Sequence, residues 1–289
     1  MIALTVALAV VVGVSLGLLG GGGSILTVPL LTYVAGMDAK EAIATSLLVV
    51  GVTSAVAAIT HAKAGRIRWR VGFLFGLAGM AGAYAGGLLS RFIPGSVLLL
   101  AFAAMMIATA VAMLRGRKNV TAPDDTVPSM PVGRILLDGT IVGLVTGLVG
   151  AGGGFLVVPA LALLGGLSMP VAVATSLIVI AMKSFAGFGG YLSAVQVNWP
   201  LAAMVTAAAV VGSLIGGRLT SSVDPDTLRQ GFGWFVLLMS SVILAQELHP
   251  VAGVALAALT LTAAGTDYAC ARSARCPLKR WRNTPAATA

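Results

Sequence analysis

The sequence predicts an all-α, polytopic helical membrane protein built from two homologous repeats, and three observations carry that prediction. First, only 9% of the 289 residues are charged while 58% are hydrophobic, and the mean hydropathy is +1.01. A soluble protein carries about 25% charged residues, so this chain lacks the polar groups for a soluble surface. Second, residues 1–37, 42–62, 71–90, 92–114, 139–182, 184–217, 230–246 and 248–266 contain no Asp, Glu, Lys or Arg. Several of these stretches reach the roughly 20 apolar residues that cross a bilayer. Third, a shift of 130 residues lays 13–69 over 143–199 without a gap, and 20 of those 57 positions are identical. The net charge of +9 could suit nucleic acid, but the basic residues lie between the apolar stretches. Soluble, disordered and nucleic-acid-binding classes are excluded.

The repeat organises the chain. GLLGGGGSILTVPLL matches GLVGAGGGFLVVPAL, and AIATSLLVV matches AVATSLIVI. Fainter identities continue, with Gly82, Gly86, Gly87 and Phe102 falling on Gly212, Gly216, Gly217 and Phe232. The expected divisions are a first transmembrane repeat at 1–114, a polar, proline-bearing linker at 115–134 and a second repeat at 135–246. A final membrane helix at 247–268 and a basic tail at 269–289 complete the chain.

Each repeat opens with an apolar stretch, 2–36 or 135–166, interrupted by glycines at 20–23 or at 150 and 152–154. An unbroken helix of thirty-odd residues would run about 50 Å, well beyond the roughly 30 Å hydrocarbon core, so the glycine run is where it breaks. The piece after the break, 24–36, is then a half-helix or re-entrant arm. Helices follow at 41–60, 71–90 and 96–114, with counterparts at 171–190, 201–219 and 228–246. The opening segment lacks a basic leader and a convincing cleavage site, so it reads as a retained membrane segment.

Charge orients the repeats. If each break reverses the chain, the repeats are inverted and one side of the membrane holds fifteen of the Lys and Arg residues, leaving Lys40 and Arg91 opposite and Lys183 inside the bilayer. If it does not, the repeats are parallel and the two sides hold eight and nine. Positive residues gather on the cytoplasmic side, which favours inversion. The parallel arrangement recovers if 251–268 does not cross.

Inverted repeats with discontinuous helices are a transporter architecture whose substrate sits near the midplane. A broken helix exposes backbone groups, tolerable only in a protein-lined or wet cavity, and the N-terminus of a half-helix offers donors to an anion. Candidate substrate contacts are therefore Gly20, Gly22, Gly23 and Ser24 in the first break and Gly150, Gly152, Gly153 and Gly154 in the second. The duplicated hydroxyls Thr45, Ser46, Thr175 and Ser176 open the next helix of each repeat and join this set. Lys183 stands mid-helix where the first repeat has Thr53. A membrane lysine costs at least about 2.5–3.5 kcal/mol to insert and usually faces a cavity or partner, so it reads as an anion attractor. Snorkelling or pairing with Asp138 are the alternatives.

No enzyme motif is present. The glycine runs lack the Lys-Ser/Thr ending of a phosphate loop, no HExxH or GxSxG occurs, and there are two histidines in all. Cys270 and Cys276 fit no zinc or redox spacing. Neither a cofactor nor a metal is expected. The expected partners are a small anionic substrate and the lipid bilayer, with proton or sodium coupling left open.

The duplicated G-x-x-x-G-x-x-G-[GA]-G-G, the V-P that follows, and the A-T-S helix resemble the sulfite exporter TauE/SafE family of bacterial membrane permeases. The signature positions here are Gly17, Gly20, Gly22, Gly23 and Pro29, with Gly147, Gly150, Gly152, Gly153 and Pro159, and the resemblance covers about 1–246. It implies a multi-pass permease of the bacterial cytoplasmic (inner) membrane that moves small sulfur-containing anions such as sulfite, sulfoacetate or other sulfonates, or organic acids. Alternating access around a midplane site is the expected mechanism. An anion channel and a non-transporting membrane assembly partner are the rival readings.

Overall fold

The computed structural model describes residues 2–19, 22–63, 65–114, 132–150, 154–159, 161, 167, 169–219 and 225–272. Among them every regular element is helical. The helices are α1 (Ile2–Leu19), α2 (Thr27–Pro29), α3 (Ala39–Lys63), α4 (Trp69–Leu89), α5 (Gly95–Leu114), α6 (Val132–Val149), α7 (Gly154–Pro159), α8 (Met169–Tyr191), α9 (Trp199–Leu219), α10 (Pro225–Glu247) and α11 (Pro250–Arg272). Four helical stretches, Ala39–Lys63, Trp69–Phe92, Val171–Tyr191 and Trp199–Leu219, are long and apolar enough to cross a membrane. The chain is a multi-pass α-helical membrane protein.

Small residues set how these helices pack, because without a hydrophobic drive in lipid they associate by close approach. A Cβ on Gly13 of α1 would lie 2.8 Å from the Ala209 Cα of α9, and one on Gly143 of α6 would lie 2.8 Å from the Gly79 Cα of α4. The two crossings correspond contact by contact. Gly17 backs on Ser213 and Gly147 on Ala83; Gly212 meets Val10 and Gly82 meets Thr140; Gly216 meets Val14 and Gly86 meets Leu144. Moving α1 to α6, or α4 to α9, is in each case the same step of 130 residues. Within each crossing the two helices run parallel.

The centre of the fold is the pair α3 and α8. Gly51 of α3 lies under the Phe185 ring, and Leu47 Cδ1 would sit 3.3 Å from a Cβ on Gly187. At one end of the pair, Arg68 N, just before α4, donates to Thr175 Oγ1 near the start of α8 (3.1 Å). At the other, Asn198 N, just before α9, donates to Glu41 Oε1 near the start of α3 (3.1 Å). So α3 and α8 are antiparallel.

These two ends order everything else. At the Glu41 end, Lys40 Nζ donates to the Arg91 carbonyl after α4 (3.3 Å), and the Tyr33 hydroxyl reaches Glu247 Oε1 at the end of α10 (3.4 Å). Because α1 runs parallel to α9, it starts at the Glu41 end and heads away, yet α3 begins at that same end. The first glycine break therefore turns the chain back. The same holds for α6 and α8, which both begin at the Arg68 end. Among the described residues, Lys63, Arg66, Arg68, Arg70, Arg134, Arg218, Arg229 and Arg272 fall in connections or helix ends belonging to the Arg68 end, against Lys40 and Arg91 at the other.

Two elements differ in detail from expectation. The first arm is the short helical arm expected after the break, but of mixed type: it runs as a 3₁₀ turn (Gly22–Leu26), a short α segment (α2) and a π turn (Leu30–Val34). Pro29, which has no N–H to give, sits where the hydrogen-bond pattern widens. The last helix extends to Arg272, beyond the expected boundary at 268. The linker at 115–131 and the tail from 273, including Cys276, lie outside the described residues, as does the Cys270 side chain.

Candidate functional site

The two glycine breaks meet inside the bundle. The 3₁₀ turn Gly22–Leu26 touches α7, the first arm lies on α3, and α7 lies on α8. Ser24 is fully buried in this turn, and Thr45, Ser46, Thr175 and Ser176 are fully buried as well, but the antiparallel course of α3 and α8 sets the Thr45–Ser46 and Thr175–Ser176 pairs toward opposite ends of the two helices. Of the predicted glycines, Gly22 and Gly23 lie in the 3₁₀ turn and Gly154 opens α7. Gly20, Gly152 and Gly153 lie outside the described residues.

The best-defined part of the site is the end of α6. A helix leaves its last four carbonyls without intrahelical partners, and in a membrane interior these must be satisfied by protein. Here the Tyr191 hydroxyl donates to the Leu148 carbonyl, and Ser46 Oγ donates to the Gly150 carbonyl at 3.1 Å. Gly150 turns the chain out of α6 with a positive φ of 73°, a conformation that favours glycine. A Cβ there would also fall 3.0 Å from Ile43 Cβ. The break is thus clamped by α3 on one side and by α8 on the other.

Lys183 is tied to the same point. Its side chain is 1% exposed and passes Gly79 of α4, where a Cβ would touch the lysine Cβ at 3.7 Å. Its ammonium donates to Thr146 Oγ1 at 3.0 Å. The Thr146 hydroxyl is itself donated to the Val142 carbonyl (2.7 Å), which leaves its lone pairs facing the lysine. Thr146 lies one turn before the break, and Gly150 N donates to its carbonyl (3.0 Å). The C-terminal end of α6 carries partial negative charge, a favourable setting for a cation. Lys183 is the one buried Lys or Arg among the described residues, and no Asp or Glu there is fully buried. Asp138 is not its hydrogen-bond partner: the Oδ2 of that half-buried carboxylate has none.

The site is therefore one-sided. At the positions 130 residues earlier the chain has Thr53, whose hydroxyl donates to Val49 and Val50 of its own helix, and buried Leu16. The first arm is helical without interruption from Gly22 to Val34, so its aligned peptides leave partial positive charge at the Gly22 end; of the second arm, α7 (Gly154–Pro159) is described. Three of the four duplicated hydroxyls are engaged with protein: Ser46 with Gly150, Thr175 with Arg68 N, and Ser176 with the Val173 carbonyl. Thr45 Oγ1 is buried without a partner.

Sequence reasoning missed Thr146 and Tyr191. A signal existed for both, since each breaks the repeat: Thr146 stands over Leu16 and Tyr191 over His61. Among the described residues no group of three His, Cys, Asp or Glu is placed to hold a metal.

The family model described as sulfite exporter TauE/SafE matches residues 5–243. A "probable membrane transporter protein" of Xylella fastidiosa strain Temecula1 is 35% identical over 240 residues, covering 81% of this chain and 91% of that protein. A similarly named protein of Methanocaldococcus jannaschii is 29% identical over 257 residues, covering 82% and 91%. One from Bacillus subtilis is 25% identical over 221 residues, covering 75% and 89%. No solved structure matches the chain.

Proposed function

The chain belongs to the sulfite exporter TauE/SafE family and is a membrane transporter, and from that premise we propose that it is a secondary transporter of small sulfur-containing anions. Sulfite, sulfoacetate and related sulfonates or organic acids are the substrate class. The observation that carries this reading is the one buried cation among the described residues, Lys183, held by Thr146 one turn from the Gly150 break. A buried ammonium whose one hydrogen-bond partner is neutral is costly, and an incoming anion offsets that cost. The candidate contacts remain the two breaks, with Ser24, Thr45, Ser46, Thr175 and Ser176.

Alternating access follows from the repeat reading. The repeat-equivalent crossings α1–α9 and α6–α4, together with antiparallel α3 and α8, support two inverted units that exchange helices. The site lies between them, where rocking of one unit on the other would open it to each side in turn. The basic Arg68 end is the cytoplasmic face by the positive-inside rule, and the membrane is the bacterial inner membrane.

The test is flux. Purified protein in liposomes should take up sulfite or sulfoacetate with saturation, and its dependence on an imposed pH gradient reads out proton coupling. Flux that never saturates would make the protein a channel. No flux of either anion, in vesicles shown to hold folded protein, would move the test to other organic acids, and no flux of those would overturn the reading in favour of a non-transporting membrane partner.

A further inference from the structure

Two of the buried hydroxyls without a hydrogen-bond partner are repeat-equivalent: Ser54 Oγ on α3 and Ser184 Oγ on α8. They are 2% and 0% exposed, and serine is the residue at both positions of the 130-residue shift. Buried hydroxyls on membrane helices ordinarily donate back to a carbonyl three or four residues earlier. Thr53, Ser176, Ser213 and Ser240 do so here. Ser54 and Ser184 do not.

Their position explains what they are free for. Leu47 and Gly51 form the face of α3 that meets α8, and Ser54, three residues beyond Gly51, continues that face. On α8, Gly187 faces Leu47, and Ser184 lies one turn before it on the same side. The two hydroxyls thus flank the α3–α8 crossing from opposite helices, near the middle of each span. Lys183 precedes Ser184 on α8 and turns toward α4 and α6: its stem passes Gly79, and one of the three donors of its ammonium is engaged by Thr146 Oγ1.

We propose that this crossing seats the headgroup of the transported anion, with Ser54 Oγ and Ser184 Oγ each donating to one oxygen and the Lys183 ammonium neutralising the charge. The inference rests on the transporter reading and deepens it by naming headgroup contacts outside the glycine breaks. Two hydroxyls offered from facing helices, with a cation one residue away on α8, suit an anionic headgroup that presents several oxygens, such as sulfite or a sulfonate.

The experiment compares the full chain with Ser54→Ala, Ser184→Ala and the double variant, using sodium sulfite and sodium sulfoacetate as probes. Deleting a hydroxyl that has no protein partner should leave the anion-free Tm unchanged or slightly raised. The anion-induced rise in Tm should vanish in the double variant, and KM for liposome flux should rise about tenfold or more per hydroxyl, the size of a hydrogen bond to a charged group. Ser54→Cys and Ser184→Cys keep the volume with a weaker donor and should shift KM in the same direction if an alanine protein fails to fold. A double variant that transports with unchanged KM overturns this seat and leaves the transporter reading intact. Unsubstituted protein that neither transports nor is stabilised by either probe overturns this seat, and if it ignores the other organic acids too, the transporter reading falls with it.

Discussion

The Lys183 ammonium donates to the Thr146 hydroxyl across 3.0 Å, one helical turn before the chain leaves α6 at Gly150. Charge and backbone break, which the sequence offers as separate features, are joined by one side chain. Replacing Lys183 by Met removes the charge and keeps most of the stem volume. A buried ion held by a neutral partner is no asset to stability, so Lys183→Met should keep or raise Tm. Affinity for sulfite should fall by about tenfold or more, the loss expected for one charge-assisted hydrogen bond. Equal affinity in a titration of the two proteins would remove the lysine from the site.

Thr146→Val tests the link from the other side. The ammonium would keep its charge and lose its anchor, so KM should rise while anion binding survives. Its loss should be smaller than that of Lys183→Met. Flux kinetics on the two variants side by side give the comparison, and a Thr146→Val defect larger than that of Lys183→Met would mean that threonine touches the substrate directly.

The end of α6 makes a prediction about stability. Tyr191→Phe leaves the Leu148 carbonyl unpaired in a dry interior, which costs about 1–3 kcal/mol. The variant should unfold at lower temperature or denaturant than the parent, with Ser46→Ala showing a similar loss through the Gly150 carbonyl. A Tyr191→Phe protein as stable as the parent would mean that Leu148 finds another donor.

How far the sequence carried the fold follows from what each feature depends on. The span expected at 41–60 is observed as Ala39–Lys63, and 171–190 as Met169–Tyr191, because uncharged length is itself the physical requirement for crossing. For the first arm the sequence predicts a break followed by a half-helix or re-entrant arm, and nothing finer. Gly22, Gly23 and Pro29 there disturb three successive hydrogen-bond registers, which composition does not resolve. The roles of Thr146, Tyr191, Ser54 and Ser184 depend on which helix lies opposite. That information enters only when α6 and α3 are laid against α8.

Glycine substitutions separate close approach from mere helix breaking. A Cβ on Gly143 would collide with the backbone of Gly79, whereas one on Gly133, on the same helix, meets nothing within 4 Å. Gly143→Val should therefore force α4 and α6 apart and cost upwards of about 3 kcal/mol, at the severe end of overpacking. Gly133→Val should cost under about 1 kcal/mol. The readout is the folded fraction by size-exclusion chromatography together with Tm. Equal behaviour of the two variants would show that the α4–α6 crossing tolerates separation.

The antiparallel course of α3 and α8 places the connection after α3 and the connection after α8 at opposite ends of the pair. Arg66 and Gln196 are exposed in those two connections. In a background with Cys270 and Cys276 replaced by Ser, Gln196→Cys should react with a membrane-impermeant maleimide in intact cells whose outer membrane has been opened. Arg66→Cys should react only after the inner membrane is permeabilised, because its neighbours Lys63, Arg68 and Arg70 mark the retained, cytoplasmic side. The reverse pattern would keep the inversion and exchange the two faces. Reaction of both cysteines from the same side would end the inverted arrangement and, with it, the argument that places the anion between two oppositely oriented units.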